Sequence, residues 1–429
     1  MNPARLGANS AAAKIKAGEL SSEALVQACL DRVSEREHQI RAWSWLDADA
    51  AVAQARACDR ATGLKGPLHG VPIGVKDVID TADMPTAYGS AIYKGYRPRA
   101  DAACVSLARA AGAVILGKTE TTEFASIHPA ATRNPLAPAH TPGGSSSGSA
   151  AAVADFMVPL AVGTQTGGST IRPAAFCGVV GYKPSFNRVN RAGLKFSAES
   201  FDTIGFFARN VEDTALLAHV MSGQERLGDA ELREDKAPRI GLCRTSRWSQ
   251  ASSQMRGAIE DAAQRMAAAG AEVELVALTP AFDQLHEAHA LIMQYEAARA
   301  TAWEYRVHGD LLSPAYHQRI RAGQGIPRER YEAALRQAES GRQDFASVWG
   351  SLDVLITPSA VDEAPLGLES TGDSVFNRLW TLLGVPCVHL PFGIGTSGLP
   401  LGLQVVGRRE DDVATLTCAR WIEDRLRSF

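Results

Sequence analysis

The chain has 429 residues, of which 45% are hydrophobic and 21% are charged, and its formal net charge is −3. This composition is typical of a folded globular protein, and the small negative charge gives no general attraction to nucleic acid or acidic membranes. We therefore expect neither among its partners. The N-terminal segment has no apolar run long enough for a signal peptide, so a cytoplasmic location is expected. Seven scattered cysteines without a C-x-x-C pair are expected to be reduced core residues.

The predicted elements alternate between helices and strands along the chain. Residues 20–33 have helical apolar spacing behind a serine N-cap, and residues 71–76 alternate as a short strand that ends near Lys76. Residues 101–119 and 257–278 each predict a helix, a glycine stop and then a strand. Further strands are predicted in PRIGLCR, LDVLITP, PCVHLPFG and LGLQVVG, and an amphipathic helix closes the chain. This alternation favours one large α/β domain with a mixed sheet, although the charged connection at 223–238 could separate two domains.

Three short patterns match known functional motifs without the context that those motifs need. GAVILGKT, residues 112–119, fits the phosphate-loop pattern, but its Ala, Val, Ile and Leu predict a buried strand. His286 and His289 are spaced H-x-x-H on a predicted helix, without the residues that would complete a zinc shell. We interpret both as exposed and expect no metal. GSSSG places Ser146 at the centre of a nucleophile-elbow pattern, but no strand is predicted before it.

Two glycine- and serine-rich segments flank one apolar unit of helix and strand. The first is TPGGSSSGSA, residues 141–150, and the second is TQTGGSTIRPAAFCGVVGYKP, residues 164–184. A flexible linker would join independent units, whereas the first segment runs directly into apolar sequence. Two such turns can face each other across a cleft, and a Gly-Gly-Ser turn frees successive N–H groups for an oxyanion hole. The residues alone favour acyl transfer by a serine, with two well-ordered turns as the alternative.

These segments resemble the motifs of the amidase signature family of serine hydrolases, together with GVPIGVKDVIDT, GKTETTEFA and TGDSVFNRLWTLLGVPCVHLPFG. The resemblance covers nearly the whole chain and is strongest to malonamidase-like enzymes. It implies one large mixed β-sheet covered by helices on both faces, in a single domain over residues 1–429. The signature core is expected at about 65–215, and residues 239–429 are expected to complete the sheet and line the substrate cleft. No cofactor is implied.

The resemblance also implies a Ser-Ser-Lys triad and hydrolysis of an amide through an acyl-enzyme. By position, Ser169 matches the nucleophile, Lys76 matches the general base, and Ser145 matches a bridging serine that follows a cis peptide bond in the family. Without the family, Lys76 would be interpreted as an ordinary strand-end lysine. The N–H groups expected to bind the oxyanion are those of Thr166, Gly167, Gly168 and Ser169.

Arg172 and Ser146 are the residues expected near the substrate. Many family members have an arginine two positions after the nucleophile, whereas Arg172 lies three positions after Ser169. It could pair bidentately with a substrate carboxylate, as malonamidase-like relatives imply, or it could brace the loop. The first alternative predicts a small acid monoamide such as malonamate as substrate. Gln165 stands where many relatives have aspartate, which leaves the hydrogen bonding behind the loop open.

Other functions remain open at this point. A larger aryl or alkyl amide, or a carbamate (urethane), could enter a cleft lined by variable loops such as residues 310–330. A glutaminase-type subunit of a tRNA amidotransferase would act through partner proteins, but the chain has no basic surface signal. A non-catalytic scaffold is disfavoured because all three triad residues are present. The resemblance also suggests a homodimer.

Overall fold

The computed structural model describes residues 2–126, 128–224, 227 and 236–427. Most of the charged connection predicted at 223–238 therefore lies outside the described residues. The strands are β1 (Trp43–Leu46), β2 (Pro72–Lys76), β3 (Val114–Thr119), β4 (Leu160–Gln165), β5 (Val180–Lys183), β6 (Thr203–Ala208), β7 (Arg239–Cys243), β8 (Glu272–Val276), β9 (Val354–Pro358), β10 (Cys387–Ile394) and β11 (Pro400–Val406). The α-helices of the described residues are α1 (Ala8–Lys16), α2 (Ser22–Ile40), α3 (Ala48–Asp59), α4 (Ala103–Ala110), α5 (Ser147–Ala154), α6 (Ile171–Cys177), α7 (Val211–Ser222), α8 (Ser253–Ala268), α9 (Ala281–Ala300), α10 (Ala302–His308), α11 (Pro314–Gln324), α12 (Arg328–Phe345), α13 (Val375–Leu383) and α14 (Asp412–Arg427).

The eleven strands of the described residues belong to one mixed sheet, in the order β1-β3-β2-β4-β6-β5-β10-β11-β9-β7-β8. Strand β2 is parallel to both β3 and β4, and β7 is parallel to both β8 and β9, whereas the other neighbours are antiparallel. In the β2–β4 pair, Val75 lies opposite Val162. The carboxyl ends of these two parallel strands therefore meet at one edge of the sheet, the usual place for a site in such folds.

Helices cover both faces of the sheet. Successive side chains of a strand point to opposite faces. Ile115 and Val162 pack in one buried cluster with α4, α7, α8 and α14, whereas their neighbours Leu116 and Ala161 pack in another with α2, α3 and α5. This arrangement confirms the predicted α/β fold with one mixed sheet between layers of helices.

Most segments predicted from periodicity form the predicted element. Helix α2 begins after Ser21, whose side chain accepts the Ala24 N–H. The phosphate-loop pattern forms β3, which is buried throughout, as predicted. All seven cysteines are buried, and none of them forms a disulfide. No helix of the described ranges is long and apolar enough to cross a bilayer.

Residues 310–330 differ from the sequence expectation of variable loops. They contain the whole of α11 and the start of α12. The Ser313 side chain accepts the Tyr316 N–H, and Pro314 occupies the first helical turn, where its missing N–H costs nothing. The segment 310–330 is therefore mainly helical.

Candidate active site

The parallel ends of β2 and β4 bring Lys76 beside the first serine-rich segment. Lys76 is fully buried, and its Nζ lies 2.8 Å from Ser145 Oγ and 2.6 Å from Thr164 Oγ1. Burial disfavours the charged amine and lowers the pKa of Lys76 to about 7, although the negative charge of Asp202 opposes this shift. An amine with this pKa can accept and return a proton near neutral pH.

The segment from 141 to 150 is buried along its whole length. The peptide bond between Gly144 and Ser145 is cis, as the family resemblance implies. The Ser147 hydroxyl donates a hydrogen bond to the Gly143 carbonyl at 2.8 Å, and α5 begins at this serine. The segment is therefore neither an exposed linker nor a turn preceded by a strand. It is an ordered part of the interior next to Lys76.

Ser146 is engaged with the end of β4. Its hydroxyl donates to the Thr164 carbonyl and accepts the Thr164 N–H, both at 3.2 Å. The side chain is fully buried, and a Cβ added to Gly163 would lie 2.7 Å from Ser146 Oγ. These contacts hold β4 against the serine segment. A contact between Ser146 and the substrate stays a prediction.

Ser169 lies in the loop that joins β4 to α6. Its residue is 7% exposed, and its hydroxyl has no hydrogen-bond partner among the described residues. The N–H groups of residues 166–169 likewise donate to no acceptor within the described residues. A free hydroxyl beside a run of free N–H groups is what an acyl-transfer site needs at its reacting carbonyl.

Gly168 is pressed against α13. A Cβ at this position would lie 2.5 Å from Asn377 Oδ1 and 2.7 Å from Ser374 Cβ, so only glycine fits. The Asn377 side chain is itself held, since its Nδ2 donates to the Ser359 carbonyl at 3.0 Å. The loop that carries Ser169 therefore rests on the C-terminal part of the chain.

Gln165 connects the loop to two helices. Its Oε1 accepts the N–H groups of Thr170 at 2.9 Å and Ile171 at 3.1 Å, which are donors at the start of α6. Its Nε2 donates to Thr381 Oγ1 on α13 at 3.0 Å. The amide can both accept and donate, which an ionised aspartate at this position could not do.

Asp202 is a buried residue of the site that sequence reasoning missed. Its Oδ1 accepts the Thr166 hydroxyl, and its Oδ2 accepts the N–H groups of Ser197 at 2.6 Å and Ala198 at 3.0 Å. Burial raises the pKa of Asp202 to about 6 in spite of these donors. The available signal was a lone aspartate just before the apolar strand segment TIGFFA.

Arg172 is buried and bound to the main chain. Its guanidinium donates to the carbonyls of Gly372 at 2.7 Å and Gly144 at 2.6 Å, and to Thr371 Oγ1 at 3.0 Å. Burial, and secondarily the charge of Arg378, lower the pKa of Arg172 to about 10. The residue joins the serine segment to the loop before α13, which is the geometry of the brace alternative.

The interpretation of His286 and His289 as exposed is wrong. His289 is fully buried, with its Nε2 at 2.9 Å from the Thr166 carbonyl, and His286 is half-buried. The physical reason is that α9 packs against α11, α12 and α13, which leaves little of it exposed. Leu285, Ala288 and Ile292 form a helical stripe with His289, and this stripe was the signal for a buried face.

Known proteins are similar to this chain over nearly its whole length. The model of the family "Amidase" matches residues 24–416. A glutamyl-tRNA(Gln) amidotransferase subunit of Natranaerobius thermophilus is 34% identical over 97% of this chain and 94% of its own length. The corresponding subunit of Chloroflexus aggregans is 36% identical over 94% and 92%.

Solved structures of amidases share the fold over nearly their whole length. An amidase crystal structure has a TM-score of 0.90 at 30% identity and covers 98% of this chain and 100% of its own. The peptide amidase from Stenotrophomonas maltophilia has a TM-score of 0.82 at 29% identity, with 99% and 97% covered. The chain therefore belongs to the amidase signature family and is a hydrolase of that family, acting on C–N bonds.

Proposed function

We propose that this enzyme hydrolyses small amides through a triad of Ser169, Ser145 and Lys76. The observation that carries the proposal is the buried contact of 2.8 Å between Lys76 Nζ and Ser145 Oγ, made by a lysine whose pKa is about 7. A serine hydroxyl is a weak nucleophile until a base takes its proton, and this lysine is a base poised near neutral pH.

The proposed reaction has two halves. In the first, Ser169 Oγ attacks the amide carbonyl while its proton passes through Ser145 to neutral Lys76. The proton returns by the same route to the leaving nitrogen, the C–N bond breaks, and ammonia or an amine departs from an acyl-enzyme. In the second, water attacks the ester carbonyl while its proton passes through Ser145 to Lys76. The bond between the acyl carbon and Ser169 Oγ then breaks, the acid departs, and the proton returns to Ser169 Oγ. The free N–H groups of residues 166–169 would hold the negative oxygen in both halves.

A carboxylate-bearing substrate such as malonamate is supported by the positive charge near the loop. Arg172 is occupied by the main chain, so Arg378 is the better candidate for the contact. The Arg378 side chain is 37% exposed, and its Cγ lies 3.9 Å from the position of a Cβ built on Gly167. It pairs with exposed Asp373 at 3.3 Å, a contact that a substrate carboxylate could replace.

Substrate turnover by paired variants tests the triad and the carboxylate contact separately. Ammonia and amine release would be measured from malonamate, a neutral aliphatic amide, an anilide and an aryl carbamate. Ser169→Ala should lose every activity, and Arg378→Gln should raise KM for malonamate alone. Arg328→Gln on α12, where the arginine is 79% exposed, is the matched control. Activity of Ser169→Ala equal to wild type would overturn the triad.

The same panel separates the alternative substrates. The nucleophile and oxyanion loop serve amides and carbamates alike, so the triad does not distinguish them. Turnover of the anilide or carbamate that Arg378→Gln leaves unchanged, without turnover of malonamate, would identify a broader amide or carbamate hydrolase.

A second candidate function follows from the relatives that are subunits of glutamyl-tRNA(Gln) amidotransferase, at 34% and 36% identity. Under this alternative the chain would release ammonia from glutamine within a larger assembly. A stoichiometric partner recovered with the tagged chain, together with glutaminase activity that depends on it, would support this function. Full amidase activity of the isolated chain without a partner would exclude it.

A further inference from the structure

The carbonyl groups of the loop before Ser169 are each held by a donor from outside residues 166–169. The pairs are His289 Nε2 with the Thr166 carbonyl, Thr381 Oγ1 with the Gly167 carbonyl, and the Arg172 N–H with the Gly168 carbonyl, each at 2.9 Å. These peptide bonds are trans, so each carbonyl points away from the N–H of the next residue. Holding each carbonyl therefore also fixes the direction of the N–H group that follows it, at residues 167–169.

The loop sequence does not fix these orientations by itself. Gly167 and Gly168 have no Cβ and reach a wide range of backbone angles at little cost. A peptide between such residues can turn over unless something holds it. The three external donors supply that restraint, and the donor at the Thr166 peptide is a side chain from a distant helix, α9.

The main polar contact of His289 is the hydrogen bond that it donates to the Thr166 carbonyl. A carbonyl only accepts hydrogen bonds, so Nε2 carries the proton, and burial lowers the pKa of His289 to about 3, which keeps the ring neutral. The ring stacks on Phe201 with centroids 4.5 Å apart and planes 12° apart. Its Nδ1 has no hydrogen-bond partner within the described residues. The polar contact of this imidazole is therefore directed at Thr166.

We propose that His289 is a positioning residue for the oxyanion hole. By holding the Thr166 carbonyl, it turns the N–H of Gly167 toward the position of the substrate oxygen. This role rests on the proposed function of Ser169 and adds a residue that touches neither the substrate nor the triad. If His289 has this role, loss of its N–H donor should weaken binding of the tetrahedral state more than binding of the substrate.

The test is the variant His289→Phe, which keeps the ring and its stacking but removes the donor. We expect kcat to fall about 10- to 100-fold. This loss is smaller than the one expected when an oxyanion donor is itself removed. KM for the amide that wild type hydrolyses best should change by less than about twofold. The rate at which a fluorophosphonate labels Ser169 should fall with kcat. His289→Gln, which retains an N–H donor, should recover part of both.

Three controls separate the possible failures. His219→Phe removes a similar bond, from Nδ1 to the Gln224 carbonyl at 2.8 Å at the end of α7, and should behave as wild type. If His289→Phe does not fold, the comparison of His289→Gln with His289→Met decides the same question. Wild-type kcat and labelling in the variants without a donor would overturn the role of His289. Activity retained by Ser169→Ala would instead overturn the proposed function.

Discussion

Lys76 differs from the neighbouring buried lysine, Lys118, in the partners of its amine. Its Nζ contacts two hydroxyls, whereas Lys118 on the adjacent strand forms an ion pair with Asp77 at 3.0 Å. Burial without a carboxylate partner leaves the charged form of Lys76 poorly compensated, and this favours the neutral amine that a base must be. The ion-paired Lys118 suits a structural role.

The pH dependence of hydrolysis should follow the ionisation of Lys76. Since the neutral amine is the active form and its pKa is about 7, kcat/KM should fall about tenfold per pH unit below that value and level off above it. A pH–rate profile between about pH 5 and 9 measures this directly. Lys76→Met should be inactive throughout. A flat profile over the acidic half of this range would contradict the assignment of Lys76 as base.

The residues that the sequence identified are those in contiguous motifs. Ser145, Ser169 and Lys76 were predicted because each lies in a long ordered segment that resembles the family. Asp202 and His289 contact the same loop from distant parts of the chain. No local pattern links a residue on α9 to a carbonyl after β4, so only the packing of the helices could reveal these contacts.

At the scale of the element, the loop between β4 and α6 packs closely against the C-terminal part of the chain. Gly168 on the loop meets Asn377 and Ser374 of the C-terminal part at distances that exclude a side chain. This contact holds the loop that carries Ser169 against α13.

Gly168→Ala should damage both stability and activity. The added methyl group must displace buried atoms of α13 or move the loop, at a cost of about 1–3 kcal/mol in the free energy of unfolding. Urea unfolding and kcat would be measured together. Gly257→Ala is the control, because a Cβ there meets no atom within 4 Å and the position is helical. Equal stability and activity of Gly168→Ala and wild type would contradict the tight contact.

Arg172→Met should separate the brace from the carboxylate clamp. The variant leaves the acceptors at Gly144, Thr371 and Gly372 without their donor, so unfolding should become easier by about 2–4 kcal/mol. Activity should fall on every substrate of the panel, and Arg172→Lys should restore little because lysine lacks the planar fork. An unchanged melting temperature with a higher KM for malonamate alone would show that Arg172 is the clamp.

Periodicity predicted some elements of the sheet and missed others for physical reasons. Strands β3, β7, β9, β10 and β11 were predicted because each is a short apolar run between turn signals. Strands β1, β5 and β6 were not, since four residues give little pattern in β1 and β5, and β6 is buried on both faces without alternation. Their pairing depends on the neighbours that the fold supplies.

At the scale of the whole molecule, one continuous sheet joins the two halves of the chain. The junction is the antiparallel pair β5–β10, in which Lys183 lies opposite Cys387. The signature core contains the three residues of the proposed triad, and the C-terminal half contributes α13 behind the loop. This continuity supports a single domain over residues 1–429, which stays a prediction.

The fold should be independent of disulfides. Because all seven cysteines are buried and none forms a disulfide, a thiol reagent such as DTNB should react slowly with the native protein. In guanidinium chloride it should react with all seven thiols. The melting temperature should not change when dithiothreitol is added. Rapid modification of several thiols in the native state would contradict the packing described for these residues.

The most direct test of the Ser-Ser-Lys triad is to identify the residue that a fluorophosphonate modifies. Wild type, Ser169→Ala and Lys76→Met would be incubated with the reagent at the pH of maximal activity, digested, and sequenced by mass spectrometry. The triad predicts one modified site in wild type, at Ser169, and no modification in either variant. Modification of another serine, or labelling of Ser169→Ala at the wild-type rate, would contradict the central claim that Ser169 is the nucleophile.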